Sequence, residues 1–227
     1  MSTVRRRPLD RHRVIDAAVD LADHVGLEAM SMRKLADQLC VTPMALYKHV
    51  ASREELLDGM VDHLAGQIAN LTTGLPWKSA VRERILSAHE LVQAHPWARS
   101  AIETRTQAGP AVLAYLDSLM GLMFDGGLSA DLVHHAMHAL STRMWGFTSD
   151  VLPTPALSED PIRRDAELAS FAATYPNIVV MVTTAPHAGI TCNERAEFEF
   201  ALDILLNAIE RLHDTGWRSD SATAGEG

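Results

Sequence analysis

Three groups of residues in this 227-residue chain have types and spacings that can do chemistry. The first is basic and lies at the N-terminus. Arg5, Arg6, Arg7, Arg11, Arg13, Arg33, Lys34, Lys48 and Arg53 stand against six acids in the first 53 residues, a net of +3. The remaining 174 residues hold 11 bases and 23 acids, a net of −12. A basic head on an acidic body separates an end that can meet polyphosphate from a body that polyphosphate repels. The second group is Asp131, His134 and His138, which share a helical face at i, i+3 and i+7 and have the donor types of a zinc site. The third is spread through an apolar region: Arg84, His89, Arg105 and His138 as polar anchors among Met120, Met123, Met144 and Trp145. Soft, adaptable side chains with a few polar groups suit an apolar or amphipathic small molecule, although large apolar residues more often only fill a core.

Other chemistries have no foothold. The sequence contains no GxSxG, HExxH, Walker loop or GxGxxG, and nothing calls for a cofactor. Cys40 and Cys192 are too few for a disulfide framework and match no metal spacing, so both are expected to be buried or half-buried. No run approaches the 18 apolar residues of a membrane span, and MSTVRRRPLDRHR lacks the apolar stretch of a secretory signal, so a cytoplasmic location is expected.

The elements that must position these residues are helices throughout. Ile15, Ala18, Val19, Ala22 and Val25 form one stripe, and Gly26 supplies a C′ residue able to adopt positive φ. Ser31 caps a short second helix with Leu35, Ala36 and Leu39 inward, which breaks at Cys40 and Val41. Thr42-Pro43 is a cap followed by a residue preset for the first helical position. Ser52-Arg-Glu-Glu55 is a capping box leading into Leu57, Val61, Leu64 and Ile68. Beyond Gly74-Leu-Pro76, stripes continue through Val81, Ile85, Ala88 and Val92, then Val112, Leu116, Leu119, Met120 and Met123. After Ser129 come Val133, Met137, Leu140, Met144 and Phe147. Residues 150–161, with three prolines, read as a loop, 162–174 as a helix, and 175–182 as a helix because no second strand exists to pair with it. The last helix, about 193–213, carries Phe198, Leu202, Leu205, Ile209 and Leu212 on one side and Phe200 and Ile204 on another. Two apolar faces need two partners.

The expected architecture is all-α. Residues 1–53 form a three-helix head, 54–74 a linking helix, 75–214 a helical body and 215–227 a disordered tail. Within the head, MRKLADQLCVTPMALYKHV (32–50) has the parts of a helix-turn-helix. Ala36 permits close helix crossing, Cys40-Val41 make the turn, Leu46 anchors the second helix, and Thr42, Pro43, Met44 and Ala45 form the end that reads base edges.

The segment SMRKLADQLCVTPMALYKHVASREELLDGM resembles the DNA-binding head of the tetracycline-repressor (TetR) family, whose pattern ends in Tyr, a basic or aromatic residue, His, a basic residue after a short gap, and a Leu-Leu pair. The similarity covers residues 9–64. Cys40 departs from it, standing where the family usually has glycine. The resemblance implies that Arg33 contacts bases or phosphate, that Thr42, Pro43, Met44 and Ala45 face the major groove, and that Tyr47, Lys48, His49 and Arg53 hold phosphates. For Tyr47 and His49 the competing reading is packing within the head. HPWA (95–98) and FEFALDILLNAIERL (198–212) resemble the tetracycline-repressor subclass, which implies dimerisation through the helix over 129–150 and the last helix. Aligned from Trp77, the Asn, Phe and His by which tetracycline-binding members hold drug and magnesium fall on Arg84, Ala88 and Ile102, which points away from tetracycline.

The function expected is therefore a regulator, most simply a repressor, that binds double-stranded, near-palindromic operator DNA as a homodimer and is released by a small apolar or amphipathic effector. No membrane partner and no catalysis are expected. The alternatives are a metal-responsive regulator using Asp131, His134 and His138, or a helical enzyme or binding protein.

Overall fold

The structure, a computed structural model, describes residues 8–69, 74–104, 108–144, 160–184 and 193–219. Regular structure among these residues is entirely helical. The chain forms two compact units, one of Met1–Gly146 with Leu202–Gly227, the other of Phe147–Ala201.

The first unit opens with α1 (Arg11–Val25), α2 (Met32–Leu39), α3 (Pro43–Leu46) and α4 (Arg53–Ala65). Each start is fixed locally. Asp10 accepts from the Arg13 amide, Ser31 from Lys34 and Ser52 from Glu55, satisfying amides that have no intrahelical partner. Glu55 reaches back to the Ala51 amide at 2.6 Å, completing the box. Gly26 ends α1 at φ 77°. The expected side-chain cap at Thr42 does not form: Ala45 bonds the Thr42 carbonyl instead, and Pro43 at the first position has no amide to satisfy. Val14, Ile15, Ala18, Leu35, Ala36, Leu46, Val50, Leu56 and Met60 close the core between these helices.

Four further helices, α5 (Trp77–Ala94), α6 (Ala98–Glu103), α7 (Pro110–Asp125) and α8 (Ala130–Met144), continue the same unit. Ser129 caps α8 through the Leu132 amide, as its position suggested. α7 starts differently. Its Ala111 and Val112 amides donate to one carboxylate oxygen of Asp62, on α4, at 2.7 and 3.1 Å. Gly109 allows this approach, since a Cβ there would overlap the Asp62 carboxylate.

The second unit holds α9 (Pro161–Thr174), α10 (Pro176–Thr184) and the start of α11 (Glu194–Asp214). Pro161 opens α9 behind an Asp160 cap, where the sequence had placed it in a loop, and 176–184 is the helix expected there. No residue of α9 is buried. α11 buries Phe198, Leu202, Leu206 and Ile209, so its inward stripe runs through Leu206 and leaves Leu205 half-buried. Lys78–Glu210 and Arg82–Asp203 ion pairs, at 2.5 and 2.6 Å, link it to α5 in this rotation.

The expectation of a disordered tail from Thr215 does not hold for its first five residues. Ser219 donates through its amide and hydroxyl to Asp131 at 2.6 and 2.8 Å, and the Trp217 ring meets His135 edge-on. Among the described residues no helix is long and apolar enough to cross a membrane.

Candidate DNA-binding head and the cavity behind it

The reading end of the head is built by a turn that only an unusual backbone permits. Cys40 sits at φ 55°, ψ 46°, the left-handed region, and the Val41 amide closes back to Ala36 at 2.9 Å. For a residue with a side chain that conformation costs about 1 kcal/mol. The sulfur is exposed, contrary to the burial expected for a lone cysteine, because the apex of the turn points its Cβ away from the core. Cys192 lies outside the described residues.

α3 is a single α-helical turn. Hydrogen bonds from His49 and Val50 to the Leu46 carbonyl, at 2.8 and 3.0 Å, extend it as a tighter turn. Leu46 is wholly buried, so this short helix hangs on one anchor and turns its other residues outward. Met44 is 71% exposed and Tyr47 45%. Thr42, Pro43, Lys48 and, at the start of α2, Arg33 are exposed too, while Ala45 and His49 are half-buried. Met44 and Tyr47 are thus the large side chains that this turn presents to solvent. Arg53 is exposed as well but already engaged, its Nη2 donating to the Leu27 carbonyl at 3.1 Å.

Polar seams join the head to what lies behind it, and two of them involve aspartates. Asp23, near the end of α1, accepts from the indole of Trp97 at 2.6 Å and pairs with His95 at 2.8 Å. The HPWA segment is thus the elbow between α5 and α6, with Trp97 buried and holding the end of α1. The second seam is Asp62, tying α4 to the start of α7.

Behind these seams is an apolar cavity of about 30 Å³. Val61, Leu64 and Ala65 of α4, Ala88, Leu91 and Val92 of α5, Ala98 and Ile102 of α6, and Val112 and Tyr115 of α7 line it, together with Ile68. The space exists because three of the facing side chains are alanines. Beside it, Arg84 is buried. Its Nε donates to Ser118 at 2.6 Å, its Nη1 to the Ala69 carbonyl at 3.0 Å, and its guanidinium lies 5.2 Å from the Tyr115 ring. Burial lowers the Arg84 pKa and raises that of the Tyr115 hydroxyl far above its ordinary range.

The side chains expected to contact an effector are placed otherwise. Arg84, His89 and Met123 are buried, Met120 is half-buried and His138 exposed, and none of them lines this cavity. Arg105 and Trp145 lie outside the described residues, as does the side chain of Met144. Tyr115 went unremarked in the sequence because its hydroxyl hides it from an apolar stripe. The usable signal was the small residue at Ala88 within a stripe of large ones. Of the proposed metal trio, Asp131 spends both carboxylate oxygens on Ser219, which also holds its pKa below the usual carboxylate range, and its nearest histidine is His135 at 3.7 Å. His134 and His138 meet only ring to ring, 4.7 Å between centroids.

Residues 14–60 match the family described as "Bacterial regulatory proteins, tetR family", and residues 73–212 match "Tetracyclin repressor-like, C-terminal domain". The chain belongs to the TetR family. It is 33% identical over 210 residues to the class G tetracycline repressor of Vibrio anguillarum, covering 90% of this chain and 95% of that protein. It is 28% identical over 183 residues to an HTH-type transcriptional regulator of Saccharopolyspora erythraea, covering 76% and 78%. Among solved structures, apo ActR from Streptomyces coelicolor superimposes with a TM-score of 0.72 at 25% identity, over 93% of this chain and 99% of that one. The all-α reading, the head's helix-turn-helix and the place of this TetR regulator's body among tetracycline-repressor-like domains therefore stand. The Ala88 and Ile102 positions, assigned by resemblance to drug-holding side chains, both face the cavity.

Proposed function

We propose that this TetR-family chain is a ligand-responsive repressor: a homodimer that holds a near-palindromic operator through Arg33, Thr42, Pro43, Met44, Ala45, Tyr47, Lys48, His49 and Arg53, and releases it when a small apolar or amphipathic effector enters the body. In this reading residues 1–53 are the head, 54–74 the link and 75–214 the body, and the site of action is the cytoplasm, where the operator lies. The observation that carries the proposal is the double use of α4. It packs into the core of the head and also supplies one wall of the apolar cavity. Anything that widens the cavity pushes on the element that sets the head. Dimerisation is supported by Phe200 and Ile204, one turn apart on α11 and 65% and 51% exposed.

A cavity walled by alanine, valine, leucine, isoleucine and one tyrosine favours an apolar effector, and Ala88 and Ile102 offer no ligand to magnesium. For release, the effector must bind the DNA-incompetent state more tightly, with about 1.4 kcal/mol of differential binding for each tenfold loss of operator affinity. The test is a mobility-shift titration with the DNA upstream of the protein's own gene, followed by calorimetry of a co-purified ligand with and without that DNA. Binding that unrelated competitor DNA removes equally well defeats the repressor reading. Equal ligand affinities in the two titrations defeat the switch.

A further inference from the structure

We propose that His12, Asp16 and His63 form a binding site for one divalent transition-metal ion of the zinc class, which stitches α1 to α4. The three residues come from two helices and offer two imidazoles and a carboxylate, with one ligand atom from each lying within 4.8 Å of the others. His12 and Asp16 stand one turn apart on α1, the spacing by which a helix presents two ligands from one face. Their closest atoms are 2.8 Å apart, and His63 brings Nδ1 to within 3.5 Å of the second Asp16 oxygen from the side of α4.

That second oxygen is the observation pointing to a cation. Asp16 Oδ1 is buried and has no hydrogen-bond donor, although a ring nitrogen stands near it. A fully formed ion-pair network would have satisfied it, since leaving a buried carboxylate oxygen bare is costly. A metal ion placed between the three groups satisfies Oδ1 and both imidazoles at once. Two histidines and one carboxylate are an established zinc ligand set that leaves a fourth position for water. Tetrahedral bonds of about 2.0–2.1 Å place ligand atoms roughly 3.3 Å apart, so closing the site requires side-chain rotation and no backbone movement. The helices are already close here: a Cβ at Gly59 would meet Ile15 Cδ1 at 2.8 Å. Arg11, the neighbouring cation, is drawn off by Glu55 at 3.2 Å.

The experiment uses the full chain, stripped with chelator and titrated with Zn2+ alone by calorimetry, with Co2+ absorption reporting imidazole ligation. The expected result is saturation at about one ion per chain together with a rise in the thermal midpoint. His63→Gln and His12→Gln should each weaken Zn2+ binding by roughly 100-fold, as loss of a ligand costs at least what loss of its supporting partner does. His12 is largely solvent-exposed, so its variant folds whatever His63→Gln does. A double variant, His134→Ala with His138→Ala, should bind Zn2+ as the parent does. Absence of saturable binding, binding unchanged by His12→Gln, or binding abolished by the His134/His138 variant each overturns the proposal and leaves the cluster a structural ion pair.

Discussion

Replacing Asp62 by alanine removes the acceptor for two amides at the start of α7, Ala111 and Val112. An N-terminal cap is worth ~1 kcal/mol and up to about 2, and a carboxylate facing the positive end of a helix adds roughly 0.3–1. Asp62 is half-buried and Val112 buried, so water only partly repairs the loss, and Asp62→Ala should cost about 2 kcal/mol. For a chain of this length that lowers the thermal midpoint by roughly 4–8 °C at fixed protein concentration. Gly109→Ala should do similar damage by a different route. Its φ of −74° suits any residue, so the added methyl acts only by pushing the Asp62 carboxylate off the amides. In the Asp62→Ala background that carboxylate is gone, and the same Gly109→Ala change should become neutral or stabilising by about 0.5 kcal/mol through the unfolded chain. The cycle is measured by urea unfolding of the four proteins under circular dichroism. Additive effects of the two substitutions, within about 0.5 kcal/mol, would refute the cap between α4 and α7.

Arg33→Ala should weaken operator binding by about 1–3 kcal/mol and relax its specificity, whereas Tyr47→Ala should weaken all sequences alike. If both variants keep their helicity and their affinity, those DNA contacts are misassigned. Phe200→Glu combined with Ile204→Glu should leave the chain helical but monomeric by sedimentation, and a dimer surviving both charges would place the interface elsewhere. Cys40→Gly should raise stability by roughly 0.5–1 kcal/mol by relieving the left-handed turn, read from the urea midpoint. Glu55 is held below the ordinary glutamate range by the Ala51 amide and then by Arg11, so its contribution is complete at neutral pH and lost as pH falls through that lowered value. Stability of the parent relative to Glu55→Gln should therefore shrink to nothing under acid, and a constant difference across pH would contradict the box.

What the sequence made legible was whatever one segment decides for itself. The stripe on α1 and its end at Gly26, the caps at Ser31, Ser52 and Ser129, and the left-handed turn at Cys40 all depend on neighbours within a few residues. Thr42 failed as a cap because α3 is one turn long and its carbonyl suffices. What stayed hidden required two segments to meet. Periodicity identified an apolar face on α11 but took Leu205 for Leu206, because both fit a helical stripe and only packing against other segments decides which is buried. It could not say that Asp62 caps a helix starting 48 residues later, or that Asp23 receives Trp97 and His95. Residue types alone point to methionines and cationic side chains as effector contacts. The cavity arises from alanines facing each other across three helices, a property of pairs of surfaces that no single stripe contains.

The size of that cavity bears on how the proposed switch can work. About 30 Å³ has room for a few water molecules, whereas pockets for drug-sized ligands run to roughly 300–1,000 Å³. A ligand of that size can enter this space only if its walls part, because close-packed interiors shift between discrete arrangements instead of stretching. Each wall has a different restraint. α5 is held to α11 by two ion pairs, α6 is held to α1 through Trp97, and α7 receives Arg84 through Ser118 and Asp62 at its start. α4 is tied to α7 through the Asp62 carboxylate near the edge of the cavity and to α1 through Arg11–Glu55 and His63–Asp16. It is also part of the core of the head. In the proposed switch, opening the cavity at α4 therefore acts directly on the head. A space this small fits the proposed switch, since a ligand larger than the cavity has to move its walls, whereas a pocket already large enough could fill without moving anything.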